Sequence, residues 1–243
     1  MTILIDPPRW AAHDRLWSHL ISDSSLAELH AFAARRGIPE RGFEGDHYDV
    51  PQELYASVVA AGAQEVDGRT LLRSLQRSGL RTQKRRHEKV IASVPDAPWL
   101  PPGGRADVVA SRQDDAPAPT VVVRLAVVCE GQLLVIDRPG RGPDLPFRAV
   151  GEASAPVALA GLVTDIVGAV PPEPRLLGYV RNTVDRPTPD YPWPTPRACF
   201  TVYAATVDSV VAQRLSGSWI THAEGASVLT ERHWWPLLAP GLP

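Results

Sequence analysis

Apolar and polar positions recur with strand and helix periods along the chain, and the order of these elements differs on the two sides of a proline-rich stretch. Thr2 to Ile5 is a short apolar run that ends at Asp6 and the pair Pro7-Pro8, which neither strand nor helix continues through. It predicts a first strand with a carboxylate at its exit. Ser25-x-x-Glu28 has the form of a capping box, and apolar residues at 26, 29, 32 and 33 before Gly37 predict a helix over 25–36. Phe43 to Val50 predicts a strand, Pro51 to Ala61 a helix closed by Gly62, and Ala63 to Val66 a short strand. A helix starting at Asp67 or Gly68 follows. Strands alternating with helices predict a small α/β domain with partly parallel strands.

Beyond residue 119 the order changes. TVVVRLAVVCEGQLLVIDRP predicts two strands turning at Glu130-Gly131, followed by an apolar helix over 155–167. The strand candidates LLGYVRN and ACFTVYAATV and a last segment ending HWWPLL complete an α+β sandwich. Between the halves, VPDAPWLPPGGRADVVASRQDDAPAPT concentrates proline, glycine and charge and is read as a linker. The expected division is 1–92, a Pro-rich linker over 93–118, and 119–243.

Composition narrows the function. A hydrophobic fraction of 44% with 21% charged residues is that of a globular protein, and the net charge of −2 excludes wholesale attraction to nucleic acid. No apolar run approaches the roughly 18 residues that cross a bilayer, and MTILIDPPRW lacks the pattern of a signal peptide. No membrane association and a cytoplasmic location are therefore expected. Cys129 and Cys199 stand in apolar stretches without ligand spacing, which predicts buried thiols.

The first half carries histidines and aspartates. Ligands of open α/β sheets gather at the carboxyl ends of strands, which puts Asp6 first among candidates, with Arg9 and Trp10 just after it. Helical period turns His30 inward with Leu26, Leu29 and Ala33. If FEGDHYDV is extended, His47 and Asp49 share one side with Phe43, while Asp46 and Tyr48 share the other. The expectation is one pocket where Asp6, His19, His30, His47 and Asp49 converge, imidazole acting as general acid/base and carboxylate fixing its tautomer. Asp6, His19, His47 and Asp49 are the catalytic candidates; Arg9, Trp10, His30, Asp46 and Tyr48 are the ligand-binding ones. The stretches ILIDPPRW, WSHLISD, ELHAFAARRG, GDHYDVP and AGAQEV resemble, over residues 1 to about 82, the bacterial and phage domain-of-unknown-function 4031 family. That resemblance implies no reaction.

The second half, over roughly 119 to 240, resembles a Nudix hydrolase domain through its hairpin, the loop and helix DRPGRGPDLPFRAVGEASAPVALAGLVTDIVGAV, and the strand after YPWPTPR. In that family Gly, five residues, Glu, seven residues and Arg-Glu-hydrophobic-x-Glu-Glu-x-Gly carry the carboxylates that hold divalent cations on a diphosphate. With Gly168 as the closing glycine, Asp165 takes the first position of the Glu-Glu pair. Ile166, Leu162 and Gly161 then stand where the family has Glu, Glu and Arg, and Gly151-Glu152 matches loosely across a shorter loop. Asp165 is the only ionisable residue between Ala153 and Pro172, so Asp165 and Glu152 make a poor magnesium pair. Mg²⁺ is expected only if this half is active. The resemblance thus implies recognition of a nucleotide or a nucleoside-diphosphate-linked metabolite without cleavage; a divergent pyrophosphohydrolase is the enzyme alternative. Tyr191 and Trp193, held between prolines, are candidates to stack on a base, and Arg181 and Arg197 to meet phosphate. A third alternative, a nucleic-acid or protein adaptor, rests on Arg73, Arg77, Arg81, Lys84, Arg85, Arg86 and Lys89, although this basic stretch has no aromatic residue for stacking.

Overall fold

The computed structural model describes residues 2–81, 85–168 and 173–242. The chain forms two compact units, Met1–Lys84 and Arg85–Pro243, each with its own sheet. None of the described helices is long and apolar enough to cross a membrane.

In the first unit β1 (Ile3–Ile5) and β2 (Trp10–Ala12) both pair antiparallel with β3 (Arg15–Ser22). His13 and Asp14, both at positive φ, make the tight β2–β3 turn. Proline has no N–H to give a ladder, so residues 6–9 bow out between the bonds from Asp6 N–H to His19 O and from Arg9 N–H to Trp17 O. Helix α1 (Leu26–Arg35) begins where the Ser25 hydroxyl accepts from Glu28 N–H. Only half of the expected capping box forms, because the Glu28 carboxylate accepts instead from the hydroxyls of Ser22 (2.6 Å) and Ser24 (3.1 Å). After a 3-10 turn at Glu40–Gly42, β4 (Tyr48–Pro51) pairs with the other edge of β3, and α2 (Gln52–Ala60) leads to β5 (Gln64–Glu65). The β5–β1 ladder is parallel, and α3 (Gly68–Arg77) follows with Asp67 capping Arg69 and Thr70 N–H. Among the described residues of this unit, parallel pairing is thus limited to one short ladder.

Alternation along the strands sorts the side chains. Ile3, Ile5, Leu20, Tyr48 and Val50 pack against α1 and α2, whereas Leu4 and Ile21 meet Leu71 and Leu75 of α3 on the opposite face.

The second unit is a mixed sheet of nine strands. In chain order they are β6 (Glu88–Val94), β7 (Arg105–Ser111), β8 (Thr120–Cys129), β9 (Gln132–Arg138), β10 (Gly142–Asp144), β11 (Phe147–Ala149), β12 (Arg175–Thr183), β13 (Arg197–Thr206) and β14 (Ser218–Thr221). Helices α4 (Ala155–Val167), α5 (Ser209–Ala212) and α6 (His222–Val228) and a 3-10 turn at Trp235–Leu237 accompany them. The order is β10-β9-β8-β13-β12-β7-β6, with β11 on β8 and β14 on β9, and β8 and β13 run parallel. Glu130 and Gly131, both at positive φ, close the predicted hairpin. Val123, Leu125 and Val127 of β8 face Ala158, Leu162 and Val163 of α4, while Ala126 and Val128 face Leu229, Trp234 and Trp235. Sheet core therefore lies on both faces, and α4 is apolar because it covers one of them. Cys129 and Cys199 are buried free thiols.

The segment read as linker folds differently. Its prolines occupy the connection, where Ala97 N–H donates to Gly104 O, but RADVVAS between them is β7, paired with β6 on one side and β12 on the other. Proline density marked the turn of a hairpin, with buried Val90, Val108 and Val109 on its two strands.

Candidate functional site

The bowed segment after β1 sets Asp6 against β3. Asp6 Oδ1 accepts from the backbone N–H of His19 (2.5 Å), and Oδ2 lies 3.1 Å from His19 Nδ1 and accepts from Trp10 Nε1 (3.3 Å). An ionised carboxylate only accepts, so His19 Nδ1 is the donor and Nε2 is the ring atom left to act. The β3–β4 register places His19 directly opposite Asp49, and His19 and His47 meet edge to face with ring centroids 5.1 Å apart. His47 is held twice, by Asp46 Oδ1 at 2.5 Å from Nδ1 and by Asp49 Oδ1 at 3.5 Å from Nε2. Fully buried Asp46 also accepts from Arg81 Nη1 at 3.2 Å. The structure thus brings Asp6, His19, Asp46, His47 and Asp49 together, with Trp10 edge-on to His19 at 5.2 Å.

Two sequence expectations are corrected here. His30 does not join this group: its Nδ1 lies 2.7 Å from the Tyr48 hydroxyl and its ring packs on Phe43 and Tyr48. Tyr48 belongs to the face covered by α1 and α2, opposite Asp49 on the same strand. Residues 43–48 are not one strand either. Glu44 N–H donates to His47 O, Gly45 has φ of 96°, and the resulting turn swings Asp46 onto His47 where strict alternation would separate them. Arg9 is exposed and binds through its backbone to β3.

Electrostatics follow from this packing. Burial works against the charge on Asp6, but the His19 bonds outweigh it and hold its pKa below the ordinary carboxylate value. Burial likewise works against a charged His47; Asp46 and Asp49 outweigh it and raise its pKa to about 9. The folded value lies above the unfolded 6.5, so this pairing stabilises the fold fully below pH 6.5 and its contribution is lost as pH rises through about 9. In metal-free protein the ring-proton shifts of His47 are expected to titrate near pH 9. A midpoint below 7 would show that the two carboxylates do not hold the proton.

In the second unit a cavity of about 800 Å³ opens beside the sheet. Tyr191 and Trp193 line it, joined by Trp99, Phe147 and Phe200. Trp99 stacks on His233 with ring centroids 3.9 Å apart, and Trp193 meets Phe200 edge to face at 5.4 Å. Its cations are Arg124, Arg138 and Arg141. Arg138 lies over the Phe147 ring and is paired with Asp144 at 2.7 Å. Arg124 is the residue that sequence reasoning missed, although a lone charge inside the apolar run VVVRLAVV was a signal. Burial pushes its pKa down to about 10, Arg138 and Arg232 add to that depression, and its buried Nε has no hydrogen-bond partner among the described residues.

The other candidates fall elsewhere. Arg181 is buried and paired with Asp107 at 2.9 Å, a structural contact within the sheet. Arg197 opens β13 outside the cavity lining. Asp165 is exposed and salt-bridged to Arg148, whose guanidinium lies where a Cβ on Gly161 would stand. Neither Asp165 nor Glu152 belongs to a metal-competent group among the described residues; the group that does is His19, His47 and Asp49. In the basic stretch Arg81 binds Asp46, Arg85 binds Glu88 (2.7 Å) and Asp115 (2.8 Å), and Lys84 lies outside the described residues.

No curated protein sequence matches the chain. Among solved structures, the Bacillus subtilis pyrophosphohydrolase BsRppH is similar at 16% identity over 53% of this chain and 70% of that one, with a TM-score of 0.35. Residues 3–78, nearly the whole first unit and all of its clustered histidines and aspartates, match the family model described as Protein of unknown function (DUF4031).

Proposed function

We propose that the second unit is a Nudix-like domain that binds an anionic aromatic metabolite of the nucleotide class and does not cleave it. The observation that carries this reading is Arg124, a half-buried arginine on the wall of an aromatic-lined cavity whose buried Nε has no hydrogen-bond partner among the described residues. A buried cation without a full complement of partners costs stability unless an anion completes it. The cavity volume of about 800 Å³ suits a ligand of nucleotide size. Phosphate oxygens would meet Arg124 and Arg138, and a base would lie against Trp99, Tyr191 or Trp193. Cleavage is disfavoured because Asp165, the only carboxylate of α4, is neutralised by Arg148.

Calorimetric titration with ADP and ADP-ribose, in the presence and absence of Mg²⁺, tests the reading. Binding without phosphate release is expected. Arg124→Met should weaken it at least about tenfold, since a charge-assisted hydrogen bond contributes about 1.5–3 kcal/mol. The same substitution should leave the ligand-free melting temperature unchanged or higher, because it removes a charge that desolvation and the neighbouring Arg138 and Arg232 oppose and only Asp144 favours. Binding that is indifferent to Arg124→Met would refute the site, and Mg²⁺-dependent turnover abolished by Asp165→Ala would establish the hydrolase instead.

A further inference from the structure

We propose that the first unit holds a divalent transition-metal ion between His19, His47 and Asp49, with Asp6 and Asp46 as the carboxylates that orient the two imidazoles. One ligand atom from each of the three residues lies within 4.8 Å of the others. His47 Nε2 and Asp49 Oδ1 already stand 3.5 Å apart. Two atoms bound at roughly 2.0–2.1 Å to a tetrahedral ion are separated by roughly 3.3 Å, so this pair needs little movement.

The second observation is independent of that proximity. A metal-bound histidine almost always passes its other ring N–H to a carboxylate or carbonyl, which fixes the tautomer and makes the ligating nitrogen more basic. Both histidines have this arrangement. His19 Nδ1 is 3.1 Å from Asp6 Oδ2, His47 Nδ1 is 2.5 Å from Asp46 Oδ1, and both aspartates are buried. Asp6 is further fixed by His19 N–H and Trp10 Nε1, and Asp46 by Arg81. Two buried carboxylates each aimed at Nδ1 of a different histidine, with His47 Nε2 turned to a third carboxylate that stands opposite His19 in the β3–β4 register, form a two-histidine, one-carboxylate set. Imidazole with carboxylate suits zinc, iron(II) or cobalt(II) better than magnesium or calcium, which take oxygen ligands. His19 and Asp49 side chains are 27% and 38% exposed, so the remaining coordination positions open outward to water or to an oxygen ligand of a substrate.

Full-length protein stripped with chelator and titrated with Co²⁺ tests the site, because cobalt reports its coordination by visible absorption. One equivalent is expected to bind with d–d bands, displaceable by Zn²⁺. His19→Ala and Asp49→Asn should each weaken binding at least a hundredfold, Asp6→Asn should weaken it 10- to 100-fold, and His30→Ala should leave it unchanged. Circular dichroism and melting curves establish that each variant is folded. Should a variant fail to fold, the Co²⁺-loaded wild type decides: contact-shifted ring N–H resonances from two histidines support the site. Absence of such resonances, no stoichiometric uptake, or uptake unaltered in folded His19→Ala and Asp49→Asn overturns it.

Discussion

Replacing Asp144 by alanine is expected to destabilise the second unit by about 3–5 kcal/mol, the usual cost of removing one partner of a buried charge cluster. Its carboxylate is almost fully buried. It pairs with Arg138 at 2.7 Å and lies 3.9 Å from Arg232, and it accepts from Trp234 Nε1 and Leu145 N–H, both at 2.9 Å. Arg124 lies in the same field, its charge favoured by Asp144 and opposed by the other two guanidiniums. Without Asp144 three cations face one another and an indole N–H loses its acceptor. At roughly 2–4 °C per kcal/mol for a domain of this size, the melting temperature should fall by roughly 6–20 °C. Denaturant unfolding at neutral pH measures it; a loss below about 1 kcal/mol would mean that water already reaches the guanidiniums.

The second large effect is expected in the first unit. Asp46→Ala strips His47 and Arg81 of a fully buried carboxylate and should also cost about 3–5 kcal/mol near pH 7. The pH dependence separates charge from packing. In the metal-free wild type His47 keeps its proton up to about pH 9, so the pairing lost in the variant is one that the wild type itself gives up as pH rises through that value. The stability gap between the two proteins should therefore narrow between pH 7 and pH 10. A gap constant over that range would assign the loss to packing and to Arg81 alone.

Local features of the fold were legible because they depend on neighbouring residues. Ser25 and Asp67 cap the helices that follow them, Glu130-Gly131 turns the hairpin, and Asp6 stands at the exit of β1. What a linear pattern lacks is face and register. Helical period turned His30 inward, but only the packing of α1 on the Tyr48 face separates it from His19. The pairing of His19 with Asp49 follows from the β3–β4 register, and the turn at Glu44-Gly45 determines that Asp46 and Asp49 bind the same imidazole. No spacing rule joins residues 6, 19 and 47.

The Pro-rich stretch was misread for a related reason. Proline forbids regular structure where it stands and says nothing of the residues ten positions on. Arg124 had a visible signal, one charge in an apolar strand, but its isolation among other guanidiniums depends on the three-dimensional neighbourhood of Asp144. Asp165 is the one acid in the sequence of α4, and only the structure shows that it is paired with Arg148.

The β6–β7 hairpin has a consequence for how this protein can be taken apart. By pairing along the full length of Gly178–Thr183, β7 keeps the N–H and C=O groups of β12 from forming a bare sheet edge. A fragment beginning at residue 119 would unmask that ladder together with the apolar surface around Tyr179 and Val180, an adhesive strand inviting self-association. Dissection of the two units belongs at Lys84–Arg85, upstream of the prolines that most resemble a hinge.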